Sequence, residues 1–315
     1  MRKKFLFICL SWLIALTANA DNLNLYLTTD GLVADPNDDT PYATTDKSIE
    51  EGTQVTITYA GDDNKTVLSI YINGEVVSSG KISKMISKPP YTFTAKKNCI
   101  LRVVGAYAFN FNTNPNVYFT QDVDVTAKEG ATGEYWATYY NGTTSFTADE
   151  NTTVYQAAVN SGKTAVVLTE VTGREIPAGK GVVLKSSAAT ITLTPTTTTQ
   201  TLEGNELTGV DAATAAPSNA YCLSKETTGS ARGVGFYTYT GTIPAHRAYL
   251  VVDGGPSHAR GFLGFDDDDN TTGISLPEAV VIENDGPIYD LSGRRIIGQP
   301  QKGIYVKNGK KVVIK

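Results

Sequence analysis

The chain has 315 residues, 41% of them hydrophobic, with a formal net charge of −5 and a sequence pI near 5.2. That length suffices for two or three domains with cores of their own. An acidic, diffuse charge argues against nucleic acid or anionic lipid as the main partner, because both repel it.

The amino terminus reads as a secretory signal peptide over residues 1–20. Arg2, Lys3 and Lys4 precede the apolar run Phe5 to Leu16, and Ala18-Asn19-Ala20 fits the small-x-small rule for cleavage between Ala20 and Asp21. The run is too short to cross a bilayer, and no later stretch approaches the roughly 18 apolar residues a membrane helix needs. The expectation is therefore an exported, soluble chain with no transmembrane segment. Cleavage removes three positive charges and no negative one, so the net charge goes from −5 to −8. Of three cysteines, Cys99 and Cys222 remain, far apart and in different predicted domains, which is no disulfide framework. Tyr221-Cys222-Leu223 reads as a buried strand with an inert thiol.

Residues 21–127 show short alternating runs broken by polar turns. Val55, Ile57 and Tyr59 alternate with Gln54, Thr56 and Thr58, the period of a half-buried strand. Val67 to Ile72 runs into Asn73-Gly74 and out through Glu75, a hairpin signal. Tyr91 to Thr94, Ile100 to Tyr107 and Val117 to Val125 follow as strands, which predicts a β-sandwich. The segment from Pro90 to Tyr107 is similar to the small immunoglobulin-like module at the C-terminus of chitobiase-type enzymes, which implies an accessory role.

A polar boundary follows near Lys128 to Gly133, and residues 134–264 form a second β-rich unit. Tyr135 to Tyr140, Thr153 to Val159, Thr164 to Val171, Gly181 to Lys185, Thr190 to Leu193, Tyr221 to Ser224, Gly235 to Tyr239 and Ala248 to Val252 read as strands. Asn141-Gly142, Ser161-Gly162 and two Ile-Pro-Ala segments mark turns between them. The segments Ile176 to Leu184 and Ile243 to Val251 look alike, a proline-initiated turn feeding a core strand, used twice in one sheet. Pro195 to Thr201 reads as a surface loop, and Val210 to Asn219 as a short helical turn. Strands of this WATYY and IPAxxAYLV kind resemble the β-domain that often precedes bacterial sorting tails.

Residues 265–287 form an acidic linker, and residues 288–315 a terminal β element: a strand at Ile288 to Leu291, then a hairpin turning at Asn308-Gly309. Two strands alone are marginal in water, so the hairpin is expected to pair with the Ile288 strand. Tyr289-Asp290-Leu291-Ser292-Gly293-Arg294, Gly303 and Tyr305 with Asn308-Gly309, and the closing Val312-Val313-Ile314-Lys315 resemble the C-terminal sorting domain of the type IX secretion family. That resemblance implies a partner in the secretion machinery and a location on the outer surface or outside the cell.

No catalytic constellation is legible. His246 occupies a turn position matched by Lys180 in the sister segment, and His258 lies in a glycine-rich loop with no carboxylate pair nearby. There is no nucleophile elbow, HExxH or CxxC, so neither enzyme, cofactor nor metal is indicated. Gly179-Lys180-Gly181 lacks the spacing of a phosphate loop. Asp266 to Asp269 suits Ca²⁺ by ligand type but reads as a solvated linker, as does the weaker Asp35 to Asp39. Exposed aromatics offer a glycan platform: Tyr107, Phe109 and Phe111 on one strand face, and Trp136 with Tyr140 on a face opposite Tyr135 and Tyr139. One of the latter pairs must be core.

The resulting expectation is an all-β chain of tandem immunoglobulin-like sandwiches, acting as a non-catalytic module that binds glycan or protein. The alternatives are a polysaccharide hydrolase or its accessory subunit, which needs two carboxylates about 5–10 Å apart, and a purely structural surface protein.

Overall fold

The computed structural model describes residues 21–38, 40–61, 67–85, 87–105, 114–225, 233–252, 261–265, 288–290, 294–296, 303–307 and 310–314. The described chain is nearly all β, with an α-helical turn at Ile82–Met85 and a 3-10 turn at Thr172–Arg174. The N-terminal part is a sandwich of two sheets. One runs Gly31–Val33, Asn22–Thr28, Gln54–Tyr59, Tyr91–Thr94; the other runs Lys47–Ile49, Cys99–Val104, Asn116–Thr120, Val67–Ile72, Glu75–Lys81. Alternation does what it should: Val55 and Ile57 are fully buried between the sheets, against Leu25, Leu68 and Phe119. Phe93 meets Phe119 edge-on at 4.8 Å, joining the two faces. At the hairpin tip Asn73 and Gly74 have φ of 48° and 82°, the left-handed pair a type I′ turn demands.

Where the first sandwich ends differs from the sequence reading. Val117 to Val125 is not one strand. It breaks at Gln121-Asp122, where the Asp122 carboxylate accepts from Asn98 Nδ2 at 3.0 and 3.1 Å and Asn73 Oδ1 accepts the Gln121 N–H at 2.8 Å. Val123–Thr126 then leaves the sandwich and pairs with Thr190–Thr196 of the second unit. Likewise Lys128–Glu129, expected as linker, forms an edge strand on Tyr135–Tyr139.

The second unit is built around a ten-stranded sheet with internal symmetry. Its first half runs Tyr135–Tyr139, Val182–Ser186, Thr152–Val159, Ala165–Glu170; its second runs Thr208–Val210, Arg247–Val251, Ala220–Lys225, Val234–Thr238. Both halves take their strands from the chain in the same sequence and pair them antiparallel in the same order. Phe262–Phe265 lies between them, parallel to Ala165–Glu170 and antiparallel to Val234–Thr238. The expected double use of one turn-and-strand device is present: Ile176 and Ile243 are both 1% exposed, and each Ile-Pro-Ala feeds a strand buried in the same sheet. Gly179 N–H donates to Asn141 O at 2.8 Å, and His246 N–H donates to Val210 O at 2.7 Å, the same bond in the two copies. A short ladder precedes each turn, Ser145–Ala148 with Glu175–Ile176 and Thr214–Ala215 with Thr242–Ile243.

That second ladder displaces the helical turn expected at Val210 to Asn219, because tertiary pairing outweighs local propensity. The threonine run begins as strand up to Thr196 rather than as loop. Asn141-Gly142 forms a turn between strands, as expected. Asn141 is 2% exposed and its Oδ1 accepts the N–H groups of Thr143 and Thr144 at 3.0 and 2.7 Å, an Asx turn that redirects the chain to another sheet. At the C-terminus Ile288–Tyr289 pairs with Gly303–Lys307 as expected, and Arg295–Ile296 adds a fourth strand. No described helix is long and apolar enough to cross a membrane.

Cys99 is buried, whereas Cys222 and Leu223, expected to be buried, are half-buried, with Tyr221 alone of that trio in the core. Both cysteines are free, and burial pushes each thiol up to about 11 from 9.0. A raised folded-state pKa contributes stability that is complete below pH 9.0 and lost as the pH climbs through about 11. The melting temperature of the wild type should therefore fall more between those pH values than that of a Cys99→Ala, Cys222→Ala double variant. At pH 8 a thiol reagent should label neither cysteine quickly until denaturant is added.

Candidate functional site

A cleft of about 470 Å³ opens in the second unit, on the side where its two halves meet. One wall comes from the first half, Trp136 to Thr138, with the edge strand Lys128–Glu129 beside it. The other comes from the hairpin Ala220–Lys225 and Val234–Thr238 and from Pro244 and Arg247 of the second Ile-Pro-Ala turn. Trp136 presents its ring because its back face is stacked on Phe265, centroids 5.0 Å apart at 24°, while Lys185 Nζ sits 5.2 Å from the same ring. Tyr237 and Tyr239 line the opposite wall, their hydroxyls donating to Gly233 O and Thr242 O at 2.8 and 3.0 Å. With the phenol groups tied to the backbone, the rings are fixed as surfaces.

Arg247 gives the cleft its charge. Its guanidinium donates to Thr138 O at 3.0 Å and Thr126 O at 3.3 Å, which aims it without neutralising it. Among the described residues no carboxylate pairs with it, and burial holds its pKa below the usual arginine value. Guanidinium stays charged even so, and a half-buried cation without a counter-ion favours an anion that brings its own. Lys128 and Lys225 add positive charge at the rim, and Glu129 is the single carboxylate among the described lining residues.

The residues singled out from sequence distribute unevenly. Trp136 lines the cleft; Tyr140, on the same strand face, does not, because its ring packs on Gly209, where an added Cβ would lie 1.8 Å from Tyr140 Cδ2. Tyr139, on the opposite face, is 2% exposed and packs edge-on against Phe146 at 5.6 Å. Both faces of the strand are thus covered, rather than one alone. Tyr107, Phe109 and Phe111 lie outside the described residues, as do Asp266 to Asp269, His258, Leu291, Ser292, Gly293, Asn308 and Gly309. Asp35 and Asp38 are occupied locally, each accepting an N–H two residues on at 2.9 Å, from Asn37 and Thr40. In the tail, Asp290 Oδ1 accepts Arg294 N–H at 2.9 Å and Arg294 Nε meets Asp290 Oδ2 at 3.2 Å, so that motif closes a turn on itself.

His246 was misplaced by the sequence comparison. It follows Ile-Pro-Ala directly, as Gly179 and not Lys180 does, its N–H makes the equivalent hydrogen bond, and both have left-handed backbones, φ 57° and 74°. A non-glycine residue there is strained, so the imidazole stands where its twin carries no side chain. Its surroundings, Glu75 and Asp211, were not singled out; their meaning depends on contacts between residues far apart in sequence. No family model matches the chain, and no curated protein or solved structure is detectably similar to it.

Gly209→Ala tests the packing of Tyr140. The new methyl must displace a half-buried ring, so stability should fall by about 1–3 kcal/mol in urea unfolding, with Trp136 fluorescence in the native state unchanged.

Proposed function

We propose that the chain is an exported, non-catalytic binding protein whose cleft holds a glycan bearing carboxylate or sulfate groups. The observation that carries this reading is Arg247, a half-buried guanidinium without a carboxylate partner among the described residues, facing the same cleft as the Trp136, Tyr237 and Tyr239 rings. Sugars bind by laying their C–H faces on aromatic rings and giving their polar edges to fixed hydrogen-bonding groups, and an acidic sugar adds a charge that arginine grips bidentately. The described lining supplies one carboxylate, Glu129, whereas polysaccharide hydrolysis uses two. Binding is therefore preferred over hydrolysis.

The signal peptide and the tail provide the route. The tail's four strands pair into a small sheet of their own, in the order Arg295–Ile296, Ile288–Tyr289, Gly303–Lys307, Lys310–Ile314. A folded unit of this kind, carrying the type IX-like residues, is what an export machinery would read to bring the protein to the cell surface.

A glycan array with the mature chain should select acidic over neutral oligosaccharides. Affinity should fall as salt is raised, by more than tenfold in Arg247→Gln and severalfold in Lys225→Ala, with unchanged circular dichroism. Selection of neutral glycans, or binding indifferent to Arg247→Gln, would contradict the reading; capture of proteins alone would favour an adhesive partner instead. Deleting residues 303–315 should leave the upstream sheets folded but hold the protein inside the cell envelope. Normal release of the truncated chain would refute the sorting role.

A further inference from the structure

His246, unlike Pro244 and Arg247 of the same turn, does not line the cleft; its side chain reaches the first sandwich beside the tip of the Asn73-Gly74 hairpin. Asn73 O accepts from Thr143 Oγ1 at 3.1 Å and from Asn141 Nδ2 at 3.4 Å, so the hairpin tip is docked on the Asx turn of the second unit. Glu75, the first residue past the tip, is carried to His246: Glu75 Oε1 lies 3.0 Å from His246 Nε2. Asp211 completes the group from just past the Thr208–Val210 strand, and one ligand atom from each of the three lies within 4.8 Å of the others.

We propose that Glu75, Asp211 and His246 bind one divalent transition-metal ion of the zinc class, which ties the first sandwich to the second unit. Three features carry this beyond a chance meeting of charges. The first is the orientation of the ring. His246 Nδ1 lies 3.2 Å from Tyr140 O, and a carbonyl can only accept, so Nδ1 donates there and Nε2 is the nitrogen turned toward the carboxylates. A metal-bound histidine is held in this way, by a backbone carbonyl on its other nitrogen.

The second is an unsatisfied atom. Glu75 Oε1 is buried and has no hydrogen-bond partner, although Nε2 is only 3.0 Å away. Two tetrahedral ligands bound at about 2.0–2.2 Å are about 3.3–3.6 Å apart and not aimed at each other. An ion in line with Nε2 would satisfy Oε1 once the two atoms part by a few tenths of an ångström.

The third is that the remaining ligand is already fixed. Asp211 Oδ1 accepts the Gly142 N–H at 2.8 Å. Nitrogen with two carboxylates suits zinc and its neighbours in the first row rather than Ca²⁺ or Mg²⁺, which prefer all-oxygen sites. With Glu75 and His246 each about a third exposed, at 35% and 33%, solvent reaches the site and can supply the fourth ligand.

The sister turn provides the variant. Gly179 shows that this backbone is at ease with glycine, so His246→Gly removes the imidazole and relieves its left-handed φ of 57° without threatening the fold. The experiment is Zn²⁺ titration of the untagged, chelator-stripped full chain by calorimetry, with melting curves alongside. One Zn²⁺ per chain is expected, with a rise in melting temperature of several degrees at saturation. Affinity should drop at least a hundredfold in His246→Gly and at least tenfold in Asp211→Asn, and should persist in His258→Ala. Absence of stoichiometric binding by the wild type would leave a plain His–Glu ion pair and overturn the proposal. So would binding unchanged in His246→Gly, or binding that is lost in His258→Ala.

Discussion

The strand Phe262–Phe265 is the element on which the second unit depends. The two four-stranded halves each end in a hairpin, and without a strand between them both would present an unpaired edge. By pairing parallel with Ala165–Glu170 and antiparallel with Val234–Thr238 it converts two small sheets into one of ten strands. Its side chains then build the cleft from behind. Phe265 backs Trp136 and meets Phe236 edge-on at 6.4 Å, while Phe262 lies 4.6 Å from Tyr237. Gly235 leaves room for this packing, since a Cβ there would come within 2.4 Å of the Phe262 ring and 2.7 Å of Leu263 O. Both aromatic walls of the cleft therefore rest on one strand.

The duplicated Ile-Pro-Ala turn is where the halves part company. In the first copy the residues after Ala178 are Gly179 and Lys180, and Lys180 is exposed. In the second they are His246 and Arg247. His246 looks outward to Glu75 of the first sandwich, and Arg247 looks inward to the carbonyls of Thr126 and Thr138 at the cleft. One turn, whose shape is set by the same backbone hydrogen bond in each copy, thus addresses the cleft and a contact between units through neighbouring side chains.

Much of this architecture is legible locally. Period-two alternation located Gln54–Tyr59, and short apolar or aromatic runs located Tyr135–Tyr139 and Val182–Ser186. Asn73-Gly74 announced its hairpin because few other pairs tolerate two left-handed residues. The resemblance of the two Ile-Pro-Ala segments pointed to a repeated device, although only the paired strands show that whole half-sheets repeat. Two-residue strands such as Glu175–Ile176 and Thr242–Ile243 carry no period at all, and Phe262–Phe265 is too short to display one. The unit boundary at Asp122 rests on a hydrogen bond to Asn98, and the His246 site on Glu75 and Asp211. Partners at such separation leave no mark in the spacing of residues. Trp136 is legible as an aromatic on a strand; its place in a cleft wall depends on Phe265 stacked against it and on the distant residues that line the same cleft.

Trp12 lies within the expected signal peptide, so Trp136 is the sole tryptophan of residues 21–315 and a built-in reporter of the cleft. Its emission should shift saturably when uronate-containing or sulfated oligosaccharides are titrated into the mature chain, and the shift should weaken as salt is added. An emission spectrum that stays unchanged across acidic and neutral oligosaccharides alike would contradict the assignment of this cleft as the binding site.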